Sequence, residues 1–319
     1  MSTMRTIFLH CGPTPLPLGP DAHRLSEVPT RQELALIDAA AAQTLPHDPT
    51  PSLDEIAAQP DVAHLAEPRP APQAGALAEP LRVVVIGSDA ALSAVLTRAM
   101  RADYLWAEFG YVPTGDSPAA TNWGLPGRRS ALADALALAA EAPVRPAPLI
   151  RTDSGLAVAG SATLTHWDNT EYTGEIIVDD HRLLLHGDNE RPLFGHYGAR
   201  LVPMTTAPGI AAVELRTPAA VGPAEEAAGR SGSGLGALVG RRVGPRGVER
   251  LWNSPGTRWL VRGAEQPVGV VDPATLATGR AVQSGGENIR VTVDGVSAKR
   301  PVKRVTFYRH LRDLQIARP

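Results

Sequence analysis

LRVVVIG (residues 81–87), running directly into SDAALSAVLTRAM (88–100), decides the fold. The first segment is a continuous β-branched run, the composition of a strand buried on both faces of a parallel sheet. The second is helical in pattern, and Gly87 permits the tight turn between them. Strand, glycine turn and helix make half of a βαβ unit. Outward from there, AEFGYVP (107–113) reads as the next strand, TGDSPAATNWGLPG (114–127) as its loop, and Arg128–Ala142 as a helix. Upstream, RTIFLH (5–10) reads as a short buried strand. Residues 30–45 carry a helical apolar face opened by a Thr30/Glu33 capping box, and Ser52-Leu53-Asp54-Glu55 opens a second helix in the same way. The Pro/Ala-rich run 65–80 reads as an exposed loop.

After Pro148 the texture changes to short alternating runs separated by turn residues, the pattern of antiparallel strands. Asp179-Asp180 and Asp294-Gly295 mark hairpin turns. Residues 217–246 are Gly/Ala-rich, so 217–279 reads as an irregular insertion. The expected fold class is α/β plus all-β. A three-layer, nucleotide-binding-like α/β domain (1–147) precedes an antiparallel β-sandwich (148–319).

The composition narrows the function. A chain of 319 residues suits two domains at roughly 100–200 residues each. The single cysteine, Cys11, excludes an internal disulfide framework and a four-cysteine zinc site. Lys299 and Lys303 are the only lysines and no GxxxxGK[ST] occurs, which excludes a Walker phosphate loop. No stretch approaches 18 apolar residues, so no membrane-spanning helix is expected. The start, MSTMRTIFLHCGP, lacks the long apolar region and cleavage site of a signal peptide, and the expected location is the cytoplasm. The net charge of −2 argues against bulk nucleic-acid binding, yet it hides an asymmetry. Residues 1–80 hold four basic and ten acidic side chains, whereas 280–319 hold nine basic and three acidic. The plain reading is that the two ends face each other; the sharper one is a basic face toward an anionic lipid or nucleotide, with peripheral membrane contact.

Several constellations are weaker. His181, His186, Asp188, Glu190 and His196 cluster, but without HExxH spacing they read as polar hairpin ends rather than metal ligands. His166 and Asp168 have no GxSxG elbow to complete a hydrolase triad. SGSGLGALVG (231–240) misses GxGxxG by register and reads as a linker. The tryptophans at 106, 123, 167, 252 and 259 read as packing rather than a base-stacking platform.

Taken in order, RVVVIGSDAALSAVLTRAM and, about 20 residues on, FGYVPTGDSPAATNWGLP resemble the catalytic domain of the diacylglycerol kinase family, within the wider lipid kinase and NAD kinase-like superfold. That family carries GGDGT and then a PxGTxNDFAR…LGLP loop. Gly87, Ser88, Asp89, Ala90 and Ala91 stand at the GGDGT positions, Pro113 and Gly115 at PxG, and Trp123-Gly124-Leu125-Pro126 at the loop's end. TGEIIVDDHRLLL, FGHYGARLVPMTTAPGIAAVEL and IRVTVDGVSAKRPVKRVTFYRHLRDLQI are similar in order to the family's β-domain. The resemblance covers about residues 81–215 and 280–319.

It implies an interdomain cleft for ATP, Mg²⁺ and a lipid hydroxyl, with Gly87, Ser88, Asp89, Gly115, Thr121 and Asn122 as candidate cofactor-binding residues. Asp89 would touch ribose or a phosphate-bound metal, or simply cap its helix. The departures imply damage. Ser88 and Ala90 replace two family glycines and narrow any phosphate approach, and Ala91 replaces a threonine. Pro208 occupies the family's general-base position, so no catalytic residue is assigned and no metal ligand either. The NPxSG signature is absent, with Cys11-Gly12-Pro13 after the first strand. Two expectations follow. One is a catalytically degenerate relative, a pseudokinase that binds a lipid, nucleotide or partner in the cleft. The other is a weakly active ATP-dependent lipid kinase.

Overall fold

In the computed structural model, strand β1 (Arg5–Cys11) pairs in parallel with β2 (Ala22–Leu25) on one side and β3 (Leu81–Gly87) on the other. The structure describes residues 4–13, 22–59, 66–126, 131–186, 195–219, 256–257 and 268–319. The linker reading of 231–240, Asp188 and Glu190, and Trp252 and Trp259 lie outside them.

β3 continues in parallel to β4 (Glu108–Pro113), and all seven of its residues are buried. Alternation along the strand sends Val83 and Val85 to one face and Val84 and Ile86 to the other. The first pair packs with helices α1 (Ala35–Thr44) and α3 (Asp89–Arg101). The second packs with Ala135 and Ala139 of α5 (Leu132–Glu141). A sheet apolar on both faces must be covered twice, which gives the expected three layers. Local signals act where the sequence put them. Thr30 and Glu33 exchange hydrogen bonds ahead of α1, and Ser52 and Glu55 do so at α2 (Leu53–Ala57).

The second half is a large antiparallel sheet. Its strands are β6 (Ile150–Thr152), β7 (Ala157–Val158), β8 (Ala162–His166), β9 (Gly174–Val178), β10 (His181–His186), β11 (Gly198–Pro203), β12 (Ile210–Leu215), β13 (Val271–Gly279), β14 (Ala281–Val293), β15 (Val296–Ser297) and β16 (Val302–Arg309). They run in the order β13-β12-β11-β8-β14-β16-β6-β7. β14 serves two partners in turn: residues 282–286 pair with β9 and residues 289–293 with β8. The β9–β10 hairpin therefore folds back over β12 and β13, closing a core around Leu164, Tyr172, Ile176, Leu201, Val282 and Phe307. Both expected hairpin turns form. Asp179 has φ 52°, and the pair Asp294 and Gly295 has φ 48° and 82°, the doubly left-handed geometry that Asp-Gly favours.

Two expectations change. Strand β17 (Leu314–Ala317) does not stay with the β-domain; it inserts between β4 and β5 (Val144–Ala147) of the first sheet, parallel to β4 and antiparallel to β5. Residues 271–279, expected within the irregular insertion, form strand β13 against β12, whereas 66–80 is mostly exposed as expected and is tied down at a few points. Gln73 is fully buried and donates to Asp48 and Thr50, while Arg69 N–H donates to Asp313 and its carbonyl accepts from Gln315.

Two arginines of the basic end are engaged at the same place, and one of them, Arg312, reaches an acid of the first 80 residues. Arg309 pairs with Asp313 at 2.8 Å and donates to the Ala66 carbonyl; Arg312 reaches Asp103 at 3.2 Å and Asp48 at 3.6 Å. Lys299, Arg300, Lys303 and Arg304 stay exposed.

Cys11 closes β1 beneath this sheet, 2% exposed, and burial pushes its thiol up to about 12. Reactivity requires thiolate and access. An aromatic disulfide reagent at about pH 8 is therefore expected to leave the folded protein unmodified and to titrate one thiol after denaturation. Rapid reaction in the native state would contradict this placement.

Candidate functional site

β3 and β4 end side by side at Gly87 and Pro113, and ligand crevices of open α/β sheets lie outside such carboxyl ends. At this edge the chain opens a cleft of about 790 Å³. One wall is the loop after β4 with helix α4 (Pro118–Trp123), presenting Gly115, Asp116, Ser117, Thr121 and Asn122. The opposite wall is β11, presenting Arg200 and Val202.

Of the candidate residues, Gly115, Thr121 and Asn122 line this cleft, and Gly87, Ser88 and Asp89 do not. Gly87 serves packing: a Cβ there would stand 2.9 Å from the Cys11 Cβ. Ser88 caps α3, its hydroxyl accepting from the Ala91 N–H. Asp89 neither caps its own helix nor faces the cleft. It is buried, and its Oδ1 accepts from the Ser117 hydroxyl at 2.5 Å and from Tyr111 at 2.8 Å. Its Oδ2 accepts from the Ala119 N–H at 3.0 Å. Burial, with the Asp89 carboxylate adjacent, pushes the Tyr111 phenol well above its ordinary range, so it stays a donor. Trp123 stacks edge-on against the same Tyr111, at 6.2 Å between centroids. Asp89 thus organises the cleft's loop from behind.

A second carboxylate approaches from the other domain. Asp294 accepts the N–H groups of Ala159, Gly160 and Ser161 at 2.8, 2.7 and 2.9 Å. Burial pushes its carboxyl up to about 7, despite those three donors. Gly160 lies between the two acids: a Cβ there would sit 2.3 Å from Asp89 Oδ2 and 2.7 Å from the Ala119 nitrogen. The Gly160 carbonyl accepts from Asn122 Nδ2 at 2.9 Å, which ties the junction to the cleft wall.

Arg200 was not among the sequence candidates. It is half-buried, it lines the cleft, and its guanidinium makes no hydrogen bond or ion pair among the described residues. Its signal in the sequence was faint: one arginine in the apolar strand ARLVP, on the face opposite the buried Ala199 and Leu201. Asp116 is exposed and lines the same cleft. Pro208 stands in the turn between β11 and β12 and is not part of the lining; its neighbour Gly209 packs toward Pro148 and Arg309.

In the histidine cluster, the His186 and His196 rings lie 5.5 Å apart, and His196 pairs with the buried Glu214. Arg216 bridges Glu214 at 3.3 Å and Asp272 at 2.6 Å. Among the described residues, no group of three His, Cys, Asp or Glu side chains is arranged to hold a metal, and no helix is long and apolar enough to cross a membrane.

No protein-family model and no curated protein matches the chain by sequence. Similar solved structures include a diacylglycerol kinase from Bacillus anthracis str. Sterne, with 8% identity, TM-score 0.48, and coverage of 100% of this chain and 98% of that one. An NAD kinase from Archaeoglobus fulgidus, solved in complex with ATP, has 10% identity and TM-score 0.36, covering 99% of this chain and 94% of that one. Yeast NADH kinase, complexed with NADH, has 10% identity and TM-score 0.34, covering 100% of this chain and 84% of that one.

Proposed function

We propose that this chain, with one domain in 1–147 completed by strand β17 and the other in 148–313, binds a phosphate-bearing ligand in the cleft, a nucleotide or a lipid headgroup, without transferring its phosphate. The observation that carries the reading is Arg200, a guanidinium that lines the same cleft as Thr121 and Asn122 and pairs with no group among the described residues. Taking a cation partly out of water costs free energy unless an anion compensates it. Guanidinium matches phosphate through paired, charge-assisted hydrogen bonds. Asn122 Oδ1 and the Thr121 oxygen add acceptors for ligand hydroxyls, while Val202 and Leu125 supply apolar surface.

Absence of transfer is supported by what the candidate cofactor residue Asp89 and the family's general-base position do. Asp89 spends both oxygens on protein donors, and Pro208 has no proton acceptor. The described lining offers one carboxylate, Asp116, so a Mg²⁺ here would rest on that residue together with water and the ligand's own phosphates.

Titration with ATP·Mg²⁺ and with a soluble lysophosphatidate, read by calorimetry and thermal shift, tests the reading. One of them is expected to bind, with affinity falling at least about tenfold in Arg200→Ala, since a hydrogen bond to a charged group contributes about 1.5–3 kcal/mol. No stabilisation by either at millimolar concentration overturns it.

A second reading, slow phosphorylation of a lipid hydroxyl, is favoured by one observation: Asp116 brings into the cleft a carboxylate with no partner among the described residues. A positioned carboxylate can accept the proton of an attacking hydroxyl. Transfer of labelled phosphate from ATP to lipid, lost in Asp116→Asn, would establish that reading over the first.

A further inference from the structure

We propose that the Gly160 junction is a proton-operated latch, in which two buried carboxylates from different domains, Asp89 and Asp294, close on one glycine whose carbonyl holds the cleft-lining Asn122.

The geometry leaves little slack. Asp294 grips residues 159–161 through three backbone N–H groups, and Asp89 grips residues 117–119 through Ser117 and Ala119. Gly160 is pinched between them, too close to Asp89 Oδ2 to carry a Cβ. Asn122 Nδ2 then joins the second domain to the middle of α4.

The titratable groups facing Asp294 are Asp89 from α3 and Tyr111 from β4. Residues 159–161 bring none. On the hairpin that carries Asp294, Arg290 is engaged with Trp167 and Lys299 is exposed. Among the described residues, no arginine, lysine or histidine hydrogen-bonds or pairs with either acid. Burial penalises the ionised Asp294 first and the like charge of Asp89 adds to that penalty, and a proton on Asp294 removes both. Asp294 Oδ2 is the natural acceptor of that proton, because it holds one N–H while Oδ1 holds two.

The direction follows from linkage. A carboxyl held up to about 7 in the closed junction, against about 4 in water, binds its proton more tightly when closed. The closed form is favoured in acid. That contribution is complete below about pH 4 and lost once pH rises past about 7. Alkaline conditions therefore loosen the junction and, through Gly160 and Asn122, the cleft wall. This device does not depend on what the cleft binds.

Hydrogen exchange of the full chain across about pH 5.5–8.5, corrected for intrinsic rates, reads it out. Opening of residues 118–124 and 159–161 is expected to rise about tenfold or more over this range. Asp294→Asn, uncharged and of the same shape, is expected to flatten the profile; Asp89→Asn is expected to move its midpoint to lower pH and shrink the rise, since the neighbouring charge no longer helps to hold the Asp294 carboxyl up. A flat wild-type profile, or an unchanged slope in Asp294→Asn, overturns the proposal. If Asp294→Asn does not fold, carboxyl ¹³C NMR of the wild type decides: Asp294 must titrate in step with the Trp123 indole resonance, and a different midpoint for the two overturns the latch.

Discussion

Asp89→Ala is expected to destabilise the protein by about 3 kcal/mol, read from chemical denaturation. Three donors converge on this carboxylate: the Tyr111 phenol, the Ser117 hydroxyl and the Ala119 N–H. A buried donor left without an acceptor costs about 1–3 kcal/mol. The three do not count equally. The Tyr111 hydroxyl also lies 3.1 Å from the Gly87 carbonyl oxygen and can turn its proton there. Ser117 is partly exposed and can find water, whereas Ala119 is fully buried and has no such recourse. Asp89→Asn is expected to lose about half as much, since its amide oxygen can still accept from Tyr111 and Ser117 while its NH₂ opposes the Ala119 N–H. A loss below about 0.5 kcal/mol for Asp89→Ala, the range of ordinary surface substitutions, would show that Asp89 does not organise the loop and would return it to the ligand-facing role.

The second large effect belongs to Gly160→Ala. Its methyl group would overlap Asp89 Oδ2 at 2.3 Å, the Ala119 nitrogen at 2.7 Å and the Pro118 Cβ at 3.1 Å. The carboxylate could swing away only by abandoning its donors, and the backbone nitrogen cannot move without carrying α4 with it. Overpacking of this kind costs about 1–3 kcal/mol, and this site belongs at the upper end. The test is a double-mutant cycle. If the clash is with Asp89, Gly160→Ala in an Asp89→Ala background should cost at least about 1 kcal/mol less than alone. Strict additivity would mean that the backbone contact to Ala119 carries the whole effect.

Much of the architecture was legible because it is written locally. The run 81–87 needs no partner to declare itself a doubly buried strand, and Asp294-Gly295 needs only its own two left-handed residues to turn a hairpin. What was hidden depends on distant residues. LQIA (314–317) is four buried residues whose composition suits either sheet, and only the three-dimensional path reveals that β17 lies beside β4. Asp89 stands at the right position for a nucleotide contact by resemblance. Its actual partners, Tyr111 and Ser117, lie 22 and 28 residues away, and no spacing rule announces them. Arg200 was hidden for the opposite reason: its meaning lies in the lack of a partner among the described residues, which no sequence displays.

The return of β17 has a consequence for how the molecule comes into being. On the ribosome, residues 1–147 emerge long before 314–317, yet β5 reaches the first sheet only through β17, its hydrogen-bonded neighbour. Until residues 314–317 are made, β4 lacks the neighbour that it has on that side in the folded chain. An unpaired edge is a template for association with other chains. The same stitch that joins the two halves in the finished molecule leaves the growing chain in need of shelter until its last strand arrives.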